Sequence, residues 1–258
     1  MMLYHGTLTL HDNVFFATRE MGILYETEKY LHNWALSYAL FKETLIPQIY
    51  RLQGTIAQKP GYFDADNEQN LLHLNRSRIY VFPAKPLRWS YQVNTFKAAQ
   101  TTYYGRAKQF GDKGADRNYP INYGRAKELA VGSQYQIYLV APEAVAIPRW
   151  IRLGKWSAKV RVEVTPIPEH LMQAKSGRYI CESPLNPIDL SPDTVLLLYN
   201  RIVMPPVSLV ASAQLEGDYW QFSGQEWDIY RRDFPHLPTV LRLPRGGCYG
   251  ANLFSDIR

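Results

Sequence analysis

Between positions 88 and 127 the chain carries eight basic side chains (Arg88, Lys97, Arg106, Lys108, Lys113, Arg117, Arg125 and Lys127) against two acidic ones, Asp112 and Asp116. The net charge of the whole chain is +6, so this stretch accounts for all of it and the remainder is close to neutral. Trp89, Tyr91, Phe96, Tyr103, Tyr104, Phe110, Tyr119 and Tyr123 are interleaved with the cations. Single-stranded nucleic acid calls for this mixture. Lys and Arg neutralise phosphates, and flat side chains stack on unpaired bases at about 1–3 kcal/mol per base. The competing structural reading is a solvated loop whose aromatics belong to the core.

Inside this stretch Tyr104-Gly105-Arg106-Ala107-Lys108 recurs unchanged as Tyr123-Gly124-Arg125-Ala126-Lys127. A stacked solenoid needs roughly three or more repeats, so two copies fit the arms of a projecting hairpin better. A second basic segment, Ile151-Arg152-Leu153-Gly154-Lys155-Trp156, is followed by Lys159 and Arg161, and its glycine would allow a backbone to approach a phosphate closely. A turn feeding an edge strand explains that segment nearly as well.

Acid–base and metal chemistry find little support. The six histidines, His5, His11, His32, His73, His170 and His236, share no ligand spacing, and neither H-E-x-x-H nor a Cys/His cluster occurs. Metal-independent RNA cleavage remains the enzymatic alternative, with His5 or His32 beside a Tyr and a Lys as base and acid. Asp64, Asp66 and Glu68 resemble part of a calcium loop but lack its glycine and terminal Glu. No phosphate-binding P-loop, dinucleotide fingerprint or nucleophile elbow is present. No metal and no cofactor is expected.

The elements that must position these residues read as an α+β chain richer in strand than helix. Leu3 to Leu10, Ile79 to Phe82, Tyr135 to Val140 and Ala158 to Val164 have strand character, the last with Val on one face and charge on the other. Val195 to Tyr199, Pro205 to Val210, Tyr219 to Phe222 and Thr239 to Leu243 are further candidates, before the glycine-rich turn Gly246 to Gly250. One helix is expected from an N-cap at Thr27, with Glu26 and Glu28 at its positive end and Leu31, Trp34, Ala35, Tyr38, Phe41 and Leu45 at helical spacing. A short helix over Glu143 to Trp150 would end at Pro148.

A chain of 258 residues with 46 % hydrophobic and 20 % charged residues is neither disordered nor short of core, and suits one elaborated domain. The N-terminus lacks a secretory pattern, and the longest apolar runs fall far below the roughly 18–20 residues of a membrane span. Cys181 and Cys248 form no C-x-x-C pair. A cytoplasmic protein without membrane contact is the expectation.

The segment FFATREMGILYETEKYLHN, from Phe15 to Asn33, resembles the N-terminal signature of the type I-D Cas-five (Csc-one) family, and Trp150 to Trp156 resembles that family's second marker. The overall length and the order of the two segments also agree. The resemblance implies a RAMP-superfamily protein with a ferredoxin-like (RRM) core, an antiparallel sheet and a basic thumb-like insertion. In this chain the whole of 1–258 would form one RRM-like domain, with 88–130 as the insertion.

The implied function is non-catalytic: holding the 5′ handle of CRISPR RNA at the foot of a Cascade-type complex, beside a backbone Cas-seven-type subunit and a large Cas-ten-type subunit. Contact with target DNA near the PAM stays open, as do the endoribonuclease reading and that of an adaptor without RNA contact. The candidate RNA-binding residues are Lys97, Arg106, Lys108, Arg117, Arg125 and Lys127 for phosphates and Tyr104 and Tyr123 for stacking. Arg19, Arg152 and Lys155 follow from the matched segments, where Tyr25 and His32 would pack or cap and Trp34 would be core.

Overall fold

The computed structural model describes residues 1–41, 62–63, 70–97 and 123–253. In chain order these give β1 (Met2–Leu10), β2 (Arg19–Met21), β3 (Leu24–Glu26), α1 (Asn33–Phe41), α2 (Leu72–Arg76), β4 (Tyr80–Val81), β5 (Lys85–Arg88), β6 (Tyr91–Lys97) and β7 (Tyr123–Leu129). There follow β8 (Gln134–Ala141), β9 (Trp150–Leu153), β10 (Ala158–Ile167), β11 (Gln173–Cys181), β12 (Val195–Ile202), β13 (Leu209–Phe222), α3 (Gln225–Tyr230) and β14 (Leu241–Pro244). Among the described residues the class is α+β, dominated by sheet.

The largest sheet runs β4-β8-β1-β10-β9, with β5 also on β8, and every pairing in it is antiparallel. Its strands are the ones whose alternation is plainest in the sequence. β10 buries Ala158, Val160 and Val162 and exposes Lys159, Arg161 and Glu163, because successive side chains point to opposite faces. A second sheet places β13 between β11 and β12, with β14 on the distal half of β13. Leu8, Leu10 and Ile137 of the first sheet, Leu215 and Phe222 of the second, and Leu36 and Leu40 of α1 share one buried cluster. The third sheet, β2-β3-β7-β6, carries the candidate interface.

The C-terminal turn is tied to α1 by a buried carboxylate. Asp189 accepts from Asn33 Nδ2 (2.7 Å), Trp34 Nε1 (3.0 Å) and the Gly250 backbone N–H (2.8 Å). Burial nevertheless raises its pKa to about 6 against those donors. Trp34 is thus core, as expected. No helix among the described residues is long and apolar enough to cross a membrane, and both cysteines are free.

Several local expectations are corrected. α1 begins at Asn33, not after Thr27. Thr27 Oγ1 accepts from the Phe16 N–H (3.1 Å), so that hydroxyl is engaged in extended structure, and the helix N-terminus is served by His32, whose Nδ1 accepts from the Trp34 N–H (3.2 Å). Residues 142–149 are not helical, since Pro142 and Pro148 leave only five residues between them and the Val145 N–H donates to Tyr4 Oη (3.3 Å). Of the strand anticipated over Pro205 to Val210 only Leu209 and Val210 are extended, and they open one 14-residue strand, β13, that also contains the strand anticipated over Tyr219 to Phe222.

Candidate nucleic-acid interface

The third sheet is assembled from segments far apart in sequence. β2 and β3 form a tight antiparallel hairpin, with Gly22 at φ 62° in its turn, a conformation that glycine adopts without strain. Thr18 clamps its base: its N–H donates to the Glu26 carbonyl (2.7 Å) and its Oγ1 accepts from the Glu28 N–H (2.8 Å). β3 then lies parallel to β7, pairing Leu24 with Arg125, Tyr25 with Ala126 and Glu26 with Lys127. The Arg125 N–H donates to the Ile23 carbonyl (2.7 Å) and the Thr27 N–H to the Lys127 carbonyl (3.0 Å). On its other side β7 pairs antiparallel with β6, from Tyr91–Leu129 to Lys97–Tyr123.

The second copy of the five-residue repeat is therefore the start of β7. Its hairpin partner is β6, not the first copy, which corrects the simplest reading of the repeat. Tyr104, Arg106, Lys108 and Arg117 lie outside the described residues. For Lys97 and Tyr123 the backbone pairing is what the structure gives.

Alternation divides this sheet into two faces. Gly124, Ala126 and Glu128 are buried; Tyr25 and Phe96 lie 5.9 Å apart between ring centroids, and Phe96 reaches Trp156, which stacks on Phe15 at 4.4 Å. A Cβ at Gly124 would come within 2.6 Å of the Phe96 ring. Tyr25 packs, as expected. The opposite face exposes Arg125 and presents Arg19, Lys127, Tyr91 and Val93.

Charge on that face is partly neutralised from within. Lys127 Nζ sits 2.9 Å from Glu26 Oε1 and 4.5 Å from the centroid of the Tyr91 ring, and Arg19 Nη2 lies 3.0 Å from Glu28 Oε2. The part-covered setting of Tyr91, with Glu28 and Glu26 nearby, pushes its hydroxyl up to about 12. Arg125 is exposed and forms no ion pair among the described residues. Glu26 and Glu28 were read from the sequence as helix-dipole residues and are instead the counter-ions of this surface. Lys29, which lies 5.0 Å from the Trp89 ring centroid and 5.5 Å from that of Tyr30, extends the cationic and aromatic character beside it. No sequence signal pointed to Lys29, because the contact joins two loops.

The second basic segment meets the first motif directly. Gly154 has φ 77°, and a Cβ there would stand 2.8 Å from the Phe15 carbonyl oxygen, which accepts from the Lys155 N–H at 2.7 Å. The glycine serves an approach of backbone to backbone, not to a phosphate, which corrects the sequence reading. Lys155 is exposed without an ion pair among the described residues, and exposed Arg152 lies 3.8 Å from Asp12 Oδ2 and donates to the Ser157 carbonyl (3.2 Å). Arg19, Arg125, Lys127, Arg152 and Lys155 thus belong to three segments, joined through the pairing of β3 with β7 and through Phe15, Phe96 and Trp156.

The histidines named for RNA cleavage lie elsewhere. His5 is 1 % exposed, with Nδ1 3.1 Å from His236 Nε2 and Nε2 2.9 Å from Tyr230 Oη; burial, with the neighbouring His236, lowers its pKa to about 3. His32 is 3 % exposed, with Nε2 3.2 Å from the Val207 carbonyl, and burial lowers its pKa to about 4 despite that carbonyl. Each is held as a neutral, structurally partnered ring. Among the described residues no His, Cys, Asp or Glu group is arranged to hold a metal ion.

No curated protein matches the chain in sequence. It is similar to a chain in the cryo-EM structure of the type III-B Cmr-beta complex bound to cognate target RNA and AMPPnP, at 9 % identity and a TM-score of 0.47, covering 91 % of this chain and 90 % of that one. It is also similar to a CRISPR protein from Archaeoglobus fulgidus, at 11 % identity and a TM-score of 0.38, covering 87 % and 96 %. The family model described as type I-D CRISPR-associated protein Cas5/Csc1 matches residues 1–250, and the chain belongs to that family.

Proposed function

We propose that the chain is the subunit of a type I-D CRISPR effector complex that holds the 5′ handle of the CRISPR RNA, acting by binding and not by cleavage. The observation that carries this reading is the parallel pairing of β3 with β7. It welds the signature segment to the base of the basic hairpin and leaves Arg125 exposed and unpaired among the described residues on the solvent face, beside the Lys127–Tyr91 contact. Arg125 and Lys155 are the strongest phosphate contacts in this reading, followed by Arg152. Lys127 and Arg19 follow because their internal carboxylates compete. Lys97, Arg106, Lys108 and Arg117 as phosphate contacts, with Tyr104 and Tyr123 as stacking residues, are further candidates of this reading that rest on the sequence alone.

The core is read as ferredoxin-like, in one domain with 88–130 inserted. Support comes from β1, α1, β4, β8 and β10, which follow one another as in a βαββαβ unit, with β4-β8-β1-β10 side by side in the sheet. The second helix of that unit has no counterpart among the described residues; β9 stands in the second crossover. A backbone Cas-seven-type subunit and a large Cas-ten-type subunit are the expected neighbours in the cytoplasm. Support for a protein partner comes from edge strand β12, where Val195, Leu197, Leu198 and Tyr199 are exposed, Leu198 by 68 %.

The test is binding of labelled CRISPR repeat RNA in EDTA by wild type and Arg125→Glu. The reading expects intact RNA, an affinity about tenfold lower for the variant, and a shallower salt dependence by about 0.7 per lost phosphate contact. Unchanged binding would favour the adaptor, and a single clean cut the endoribonuclease.

A further inference from the structure

The solvent face of the six-stranded sheet carries a feature that the hairpin reading does not use. Arg88, Gln134, Thr9, Arg161 and Trp150 stand opposite one another in register across β5, β8, β1, β10 and β9. Strands lie about 4.8 Å apart, so the row crosses about 19 Å of sheet. The alternate residues of the same strands, among them Leu8, Leu10, Tyr135, Val160 and Ile151, face the core. Above the row, Tyr230, Phe234 and His236 cover His5, and Gln136 Nε2 donates to the His236 carbonyl (2.7 Å). The covered part ends there. Gln134, Arg161, Lys159, Arg152 and Trp150 are exposed.

Trp150 is the informative residue. On β9 the core side is supplied by Ile151 and Leu153, and the largest side chain is turned outward, 44 % exposed on an edge strand. Lys159 Nζ rests 4.1 Å from its ring centroid and His11 meets it edge-on at 4.9 Å. Arg88 and Lys159 form no ion pair among the described residues. Of the two nearby acids, Glu163 pairs with Arg161 (2.8 Å), and Asp12 accepts from the Lys159 backbone N–H (2.8 Å). An indole flanked by cations on a flat polar face suits unpaired bases with their phosphates, and suits an apolar protein surface poorly.

We propose that this row is a second track for single-stranded nucleic acid, separate from the hairpin face that carries Arg125 and meeting the handle interface only at Arg152, with Trp150 as the stacking platform and Arg88, Lys159 and Arg161 as phosphate contacts. Gln134 and Thr9 lie between them as hydrogen-bonding groups for base edges or a ribose hydroxyl. RNA and DNA share the phosphates and the stacking bases, and the 2′-hydroxyl, with the 5-methyl of thymine, separates them.

The full chain is titrated against labelled decamers rU10 and dT10, which lack the repeat sequence, by fluorescence anisotropy at two salt concentrations. Trp150→Ala should weaken binding about tenfold, the size of one lost base stack, while Trp150→Phe restores it, since the conservative ring keeps the platform. Lys159→Glu should weaken binding and flatten its salt dependence. Arg125→Glu should leave decamer binding within about twofold, the spread expected of a residue outside the track. A preference for rU10 assigns the track to RNA, a preference for dT10 to DNA, and equal affinity to a surface indifferent to the sugar. Decamer binding that is absent in wild type, or unmoved by Trp150→Ala, overturns the proposal. Equal loss in Arg125→Glu and Trp150→Ala overturns the separation of the two surfaces. Repeat-RNA binding by Arg125→Glu is scored independently, so the hairpin reading can fail while this one stands.

Discussion

Replacing Gly154 by Ala tests the joint between the two family segments. The substitution places a methyl 2.8 Å from the Phe15 carbonyl oxygen, 3.2 Å from the Phe15 nitrogen and 3.3 Å from a Val14 methyl, at φ 77°. Two of those atoms are backbone, so the strain cannot be relieved by a rotamer change. Gly132 supplies the control: its φ is 81°, nearly the same, and nothing lies within 4 Å of the position a Cβ would take. A non-glycine residue in the left-handed region costs about 1–2 kcal/mol, and the loss of glycine's freedom in the unfolded chain returns about 0.4–1 kcal/mol. Gly132→Ala should therefore destabilise by about 1 kcal/mol. Gly154→Ala adds overpacking of about 1–3 kcal/mol and disturbs the 2.7 Å hydrogen bond from Lys155 to Phe15. The variants should differ by about 2 kcal/mol in urea unfolding at equal m-value, or by about 4–8 °C in Tm. Equal stabilities would refute the close approach and, with it, the account of how the two segments are held together.

Glu26→Gln should tighten repeat-RNA binding, because it frees Lys127 from a partner at 2.9 Å and removes a negative charge from the surface; filter binding reads the sign, and weaker binding would contradict the charge assignment. Asp189→Ala strands donors of Asn33, Trp34 and Gly250 in the core, each worth about 1–3 kcal/mol, so a loss of at least about 3 kcal/mol is expected in denaturant unfolding. His5 and His32, with pKa values lowered to about 3 and 4, are neutral in the fold, so their contribution is complete above the unfolded value near 6.5 and is lost as pH falls toward 4. Asp189, raised to about 6, acts in the opposite sense and is most favourable below its unfolded pKa. Two histidines against one carboxylate give a net loss of stability between pH 6.5 and 4.5, of about 3 kcal/mol at about 1.4 kcal/mol per pH unit and group, which unfolding midpoints measured across that range would reveal.

Among the central strands β10 was legible because it is half-exposed, so the period of two survives in its sequence. β1 and β8 are buried along most of both faces and were legible instead as short apolar and aromatic runs bounded by breaks. β13 read as two pieces because Ser212 at φ 49° and Gly217 at φ 151° interrupt its regular course. The helix was placed five residues early because Thr27 and the acids around it look like a cap locally, while their partners, Phe16, Lys127 and Arg19, lie outside that segment's own turn.

The same limit applies to the candidate interface. Arg125 and Lys127 sit two residues apart in a repeated segment and cannot be ranked from sequence. The parallel register of β3 gives Lys127 a carboxylate and leaves Arg125 without one among the described residues. Long-range pairing, not propensity, decides which cations remain available. Gly154 was legible as a close approach but not as to what approaches, since the Phe15 carbonyl comes from a segment near the start of the chain, far away in sequence.

The measurement that tests the central claim most directly is filter binding of CRISPR repeat RNA, in EDTA at two salt concentrations, by wild type and Arg125→Glu, with the bound RNA run on a denaturing gel. The account predicts intact RNA, salt-sensitive binding by wild type, and an affinity about tenfold lower with a shallower salt dependence in the variant. Identical binding isotherms for the two proteins, or RNA cut at one position, would contradict it.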